Sequence, residues 1–111
     1  MNTQEIKNFN DKVEEEINTM LPELGTIYKD IHSNPELSMQ EFRTAKIAAD
    51  HLTSYKYEVA TGIGITGVVG VMKNGDGPVV MLRADMDALP VTEVTGLPYA
   101  SKAKGKDEEG N

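Results

Sequence analysis

The 111-residue chain contains no cysteine, which excludes both a disulfide framework and a thiolate metal site built from these residues. No apolar run approaches the length needed to cross a bilayer as a helix. The first residues carry Glu5, Asp11 and Glu14–Glu16 where a secretory signal needs a basic start and an apolar block, so the cytoplasm is the expected compartment. Positive charge is also short. Eleven Lys and Arg against eighteen Asp and Glu leave a formal net charge of −7, which argues against nucleic acid or an anionic membrane as partner. Histidine occurs only at positions 32 and 51, without the close spacing of an HExxH metal motif. What remains is an ordinary hydrophobic content of 39%, enough for one modest domain over residues 1–111.

Helical periodicity opens the chain. Ile6, Phe9, Val13, Ile17, Met20, Leu24, Ile27 and Ile31 recur at three- and four-residue spacings and predict an amphipathic helix. Pro22 predicts a kink or a fresh start within it, and Asn34-Pro35 ends it. Ser38-Met39-Gln40-Glu41 matches a capping box, flanked by Leu37 and Phe42 as a hydrophobic staple. A second helix should follow, with Phe42, Ala45, Ala49 and Leu52 as its apolar stripe. Each histidine then falls in the last turn of a helix, where the dipole favours a cation; a structural or solvent-facing role is the plain reading of both.

Strand signals follow Ser54. Tyr57–Ala60 is a short candidate and Gly67–Met72 a firmer one, with turn chemistry over Lys73–Pro78 predicting a hairpin between Gly67–Met72 and Val79–Leu82. Val79–Leu82, four apolar residues in a row, reads as a strand buried on both faces. Gly62-Ile63-Gly64-Ile65-Thr66-Gly67 satisfies G-x-G-x-x-G, but it opens strand material rather than a helix, so a glycine-rich bend is expected in place of a dinucleotide site. Residues 101–111 hold six charged side chains and little to bury, which predicts a mobile tail. Two helices on one face of an incomplete sheet describe an α/β fold, the opening of a larger domain.

Chemistry concentrates after Leu82. A two-residue period places Arg83, Asp85 and Asp87 on one side of the chain, and two carboxylates brought together need a cation or a shared proton. A strand-end salt bridge with a loop-anchoring carboxylate would account for them without function. Their position beyond a buried strand, with Ala88-Leu89-Pro90 following, points instead to a site.

Arg83-Ala84-Asp85-Met86-Asp87-Ala88-Leu89-Pro90 resembles the signature of metal-dependent amidohydrolases of the M20 peptidase family, in the branch of N-acyl-amino-acid amidohydrolases, hippurate hydrolases and auxin-conjugate hydrolases. His32–Leu37 with Glu41, Thr61–Val71 and Thr95–Ser101 agree with it in order. The resemblance implies an α/β catalytic domain of zinc-peptidase type, with two divalent ions (Zn, Mn, Co or Ni) that activate a bridging water and polarise the amide carbonyl. It also implies a downstream glutamate base, a small N-acyl amino acid as substrate, and a smaller inserted domain through which the full-length protein dimerises. Asp87 matches the aspartate that orients a metal ligand in the broader H-x-D-x-x-P motif. Asp85 stands where that histidine would be; this branch draws its ligands from a later Cys-x-His motif. Asp87 and Asp85 are therefore the candidate catalytic residues, and no residue here is assigned to metal or cofactor binding. Because the Cys-x-His motif and the base do not occur before Asn111, the 111-residue chain is expected to be inactive, marginally folded and without tight metal binding. A phosphatase of haloacid-dehalogenase type, built on D-x-D, and a non-enzymatic remnant or interaction module stand as alternatives.

Overall fold

The computed structural model describes all residues 1–111, in the order helix α1 (Thr3–Ser33), helix α2 (Phe42–Ser54), strand β1 (Glu58–Ile63) and strand β2 (Gly67–Val71). Helix α1 starts at a true capping box. Asn2 accepts from the Glu5 amide at 2.9 Å, and the Glu5 carboxylate accepts from the Asn2 amide at 2.8 Å. Pro22 lies inside a single continuous helix, so the expected fresh start does not occur. None of its residues is buried: Ile6, Phe9, Val13 and Ile17, expected to face a core, remain 40–60% exposed because nothing packs over the first five turns.

The predicted capping box at Ser38 is not used. Leu37–Gln40 closes as a turn, with the Gln40 amide on the Leu37 carbonyl at 2.9 Å and Met39 in the left-handed region at φ 64°. Helix α2 therefore begins at Phe42, and Ser38 lies too far back to reach its amides. Glu36 does the capping. Its Oε2 accepts from the Arg43 amide at 2.9 Å, and its Oε1 accepts from the Thr44 amide and hydroxyl, both at 2.6 Å. Phe42, proposed for the staple, is instead 63% exposed.

The two strands pair antiparallel, Glu58 opposite Val71 and Thr61 opposite Val68, with a bulge between Thr61 and Ile63. The glycine run is the bend between them. Gly62 and Gly64 adopt φ 71° and 57°, and a Cβ at Gly67 would stand 2.4 Å from the Ile63 carbonyl oxygen. On β2, Gly70 lets the sheet approach α2 closely, since its Cβ would meet Leu52 at 3.0 Å. The small core sits there, with Ala45 and Ala49 of α2 buried against the hairpin. Thr66 donates to the buried Glu41 carboxylate at 2.7 Å, fastening the bend to the start of α2.

Val79–Leu82 forms no strand. Its residues are extended, unpaired and 83–96% exposed, so the expected hairpin is replaced by β1–β2 and the mixed sheet by a two-stranded one. A buried strand needs a neighbour on each edge and a layer on each face, and these residues supply neither. The radius of gyration is 17.7 Å, against about 13 Å for a close-packed domain of this length. No helix is long and apolar enough to cross a membrane.

Because Glu36 rather than Ser38 satisfies the first turn of α2, Glu36→Ala should cost about 1 kcal/mol and lower the thermal midpoint, while Ser38→Ala leaves it unchanged. Circular dichroism melts of the two variants check this; equal losses would remove Glu36 from the capping role.

Candidate functional site

An open cleft of about 1160 Å³ lies between the C-terminal end of α1, the turn that leads into α2 and the segment running from Met86 into the tail. Two attachments form it. The Ala88 amide donates to the Glu36 carbonyl at 2.8 Å, so the residue that caps α2 also holds the chain beside Asp87. On the other side, His32 Nε2 donates to Glu93 Oε1 at 2.7 Å. That second attachment is a cluster. Glu93 also accepts from the Ser101 amide at 3.0 Å and from the Thr95 hydroxyl. Tyr99 meets His32 edge-on at 5.3 Å between ring centroids and Tyr28 at 6.2 Å, with Lys29 over its ring.

The acids of this region carry shifted affinities for protons. Burial works to raise the Glu36 carboxyl, but the Thr44 hydroxyl, the Arg43 and Thr44 amides and the Arg43 charge outweigh it and hold it below the usual range. Glu93 is lowered by the Thr95 hydroxyl and the Ser101 amide, against some burial, with His32 adding to the effect. Both therefore stand as carboxylates at neutral pH.

The two candidate aspartates are separated. Asp87 lies on the wall of the cleft with its carboxylate exposed and without a hydrogen-bond partner from the chain. Asp85 points elsewhere and pairs with Arg83 at 2.5 Å on the open surface, as the two-residue period suggested for that pair. Of the histidines, His32 is tied to Glu93, whereas His51 stacks on Tyr55 at 5.1 Å and lies 4.0 Å from Glu23 on the far side of α2. No three His, Cys, Asp or Glu side chains converge as a metal cage would require, so this chain's residues do not by themselves assemble a metal ligand set.

Glu36 and Glu93 are what sequence reading missed. Glu36 precedes its helix by six residues, outside any local capping rule, and Glu93 lies where periodicity has faded. Only the Glu-before-α2 and His-at-helix-end positions hinted that a distant carboxylate would be needed.

A carboxyl whose folded value is depressed stabilises the fold above its ordinary titration range and loses that contribution as pH falls through the lowered value. The Glu93 attachment should thus persist as pH drops through about 4.5 and open below it. Glu93→Gln should leave the Tyr99 and His32 ring resonances in their undocked positions at every pH; NMR titration of both proteins checks this.

No protein-family model matches the chain, and no solved structure does. Curated proteins do. Hippurate hydrolase of Campylobacter jejuni is 51% identical over 88 residues, which is 78% of this chain and 23% of that protein. An IAA-amino acid hydrolase of Arabidopsis thaliana is 40% identical over 80 residues, 72% of this chain and 18% of its own. The putative amidohydrolase YhaA of Bacillus subtilis is 35% identical over 101 residues, 90% and 26% respectively. The chain thus spans about a quarter or less of the relatives it matches. Over the stretch it shares with them, this chain is homologous to hippurate hydrolase, an IAA-amino acid hydrolase and a putative amidohydrolase.

Proposed function

We propose that these 111 residues form the N-terminal part of the catalytic domain of an amidohydrolase that cleaves the amide bond of N-acyl amino acids or similar small conjugates. The observation that carries this is the identity with hippurate hydrolase over 88 residues, together with a cleft that presents Asp87. Names of the relatives differ in the acyl group but share an amino acid joined through an amide, and the substrate class proposed is limited to that common element.

Asp87 is assigned an orienting role. A carboxylate that accepts a hydrogen bond from a ligand or a polar substrate group fixes its direction, and Asp87 has its acceptor capacity free at the cleft wall. Arg83 and Asp85 satisfy each other and are assigned to holding the approach segment. In the family that the resemblance implies, divalent ions would supply water activation; no residue of this chain is assigned to holding them, and the contribution proposed for this chain is the cleft and Asp87.

The test is to read the coding frame beyond the Asn111 codon, express whatever protein it encodes, and assay it on hippurate and a panel of N-acetyl amino acids. Hydrolysis is expected from the longer protein and none from the 111-residue chain. Asp87→Ala should lower kcat/KM by about 10–100-fold and Asp85→Ala by much less. Turnover by the 111 residues alone, or equal losses in the two variants, would overturn the assignment. A stop codon after Asn111 with no activity would leave the homology as ancestry only.

A further inference from the structure

The loop between β2 and the Val79–Leu82 run reads Lys73-Asn74-Gly75-Asp76-Gly77-Pro78, and it is exposed throughout. An asparagine followed by glycine sets a side-chain amide beside a backbone nitrogen that no Cβ shields. Here that nitrogen is also free. The Gly75 amide lies beyond β2, which ends at Val71, and donates to no acceptor; the Asn74 side chain makes no hydrogen bond either. Gly75 adopts φ 80° and Gly77 φ 147°, both with open space around them, so the backbone can turn without meeting a side chain. From Lys73 to Gly77 every residue is polar or glycine, so covering this loop would bury nothing apolar. The other six asparagines are held. Asn2, Asn8, Asn34 and Asn111 are bonded to the Glu5 amide, the Gln4 side chain, the Asp30 carbonyl and the Asp107 carboxylate respectively. Pro35, which follows Asn34, has no amide hydrogen to lose. Asn10 and Asn18 lie inside α1, where the next amide belongs to the helical ladder.

We propose that Asn74 is a site of spontaneous covalent modification, where the Gly75 amide nitrogen closes on the Asn74 side chain and water opens the ring to aspartate and isoaspartate. The Gly75 nitrogen gives its proton to hydroxide and bonds to Asn74 Cγ. The bond from Cγ to Nδ2 breaks, and Nδ2 leaves as ammonia with a proton taken from water. The product is a cyclic imide, a succinimide, and nothing is oxidised or reduced. Water then adds at one of the two ring carbonyls. Opening at Cγ restores the ordinary peptide bond and leaves aspartate. Opening at the main-chain carbonyl leaves the chain running through Cβ, which is isoaspartate. Either way an uncharged amide becomes a carboxylate, so one charge taken from the formal −7 gives −8. Asp76-Gly77 has the same backbone freedom, but a carboxylate resists attack by an amide, so Asn74 reacts first. In the isoaspartate form the extra backbone carbon lies just ahead of Val79–Leu82, the run that leads to Arg83 and Asp87. The site does not depend on the catalytic reading.

The 111-residue chain, held in mildly alkaline buffer, should lose ammonia first from Asn74, and faster as pH rises. Mass spectrometry of its peptides reads this as the exchange of NH2 for OH at that residue. An isoaspartate O-methyltransferase should then label the peptide that carries residue 74. Gly75→Val should slow the loss more than about tenfold, because a branched side chain crowds and stiffens the attacking backbone. Asn74→Gln should stop it, because the larger ring closes far more slowly. Both changes fall in an exposed loop, and circular dichroism shows whether either variant has unfolded. A synthetic peptide spanning Met72–Val79 gives the unrestrained rate, which the chain should match. A chain much slower than that peptide, earlier loss at Asn10 or Asn18, aspartate without isoaspartate, or a Gly75→Val chain as fast as the parent would each overturn the proposal.

Discussion

Glu36 is the contact on which the rest of this structure depends. Its two carboxylate oxygens take up the first free amides of α2, and its own carbonyl takes the amide of Ala88. One residue thereby sets where the second helix begins and how far from it the Asp87 segment lies. The Arg43 side chain adds a second tie, reaching Asp30 at 2.7 Å and joining α2 back to the end of α1. Such charge-assisted contacts are directional, and they place elements where little apolar burial exists to place them. Asp30 and Arg43 are both more than 40% exposed at the side chain, so their pair orients more than it stabilises.

Every buried polar side chain has a hydrogen-bond partner, while the apolar core is incomplete. Only Ala45 and Ala49 are buried hydrophobic residues, whereas Val79, Val80, Met81 and Leu82 lie open to water. Apolar burial is the main favourable term in folding, and conformational entropy opposes it at a similar scale. The α2–hairpin unit has some of that burial; α1 and the residues beyond Met72 have very little. Relatives of which the matched stretch is only 18–23% offer a physical reason for the imbalance, since in α/β domains strands such as Val79–Leu82 are covered by neighbours on both edges.

Local pattern determined what sequence reading could see. The periodicity over Ile6–Ile31, the stripe of Ala45, Ala49 and Leu52, and the glycine bend at 62–67 each encode their element within a few residues, and each element is present. Val79–Leu82 failed for a different reason: its apolar run states what the segment prefers, and pairing needs a second strand at its edge. Ser38 failed because Met39 turns left-handed, a conformation that residue type rarely signals. At the site, the separation of Asp85 from Asp87 followed from one long-range bond, Ala88 to Glu36 across 52 positions, which no spacing rule contains.

These two levels meet at the cleft. Asp87 has no side-chain bond of its own to the chain, so its position is inherited from the residues that follow it, the adjacent Ala88 and, five residues further on, the Glu93 cluster. An exposed carboxylate held this way keeps its acceptor sites free, which an orienting residue requires, and it does so without the desolvation that a buried acid would bear. The cost is dependence on polar anchors, each worth little alone in water. Covering Val79–Leu82 would stiffen the run that enters the site from Arg83, because a strand fixed at its edges defines the direction in which its next residues leave. Completion of the sheet and definition of the Asp87 position are therefore one physical event: the apolar residues before the motif supply the rigidity, and Glu36 and Glu93 supply the address.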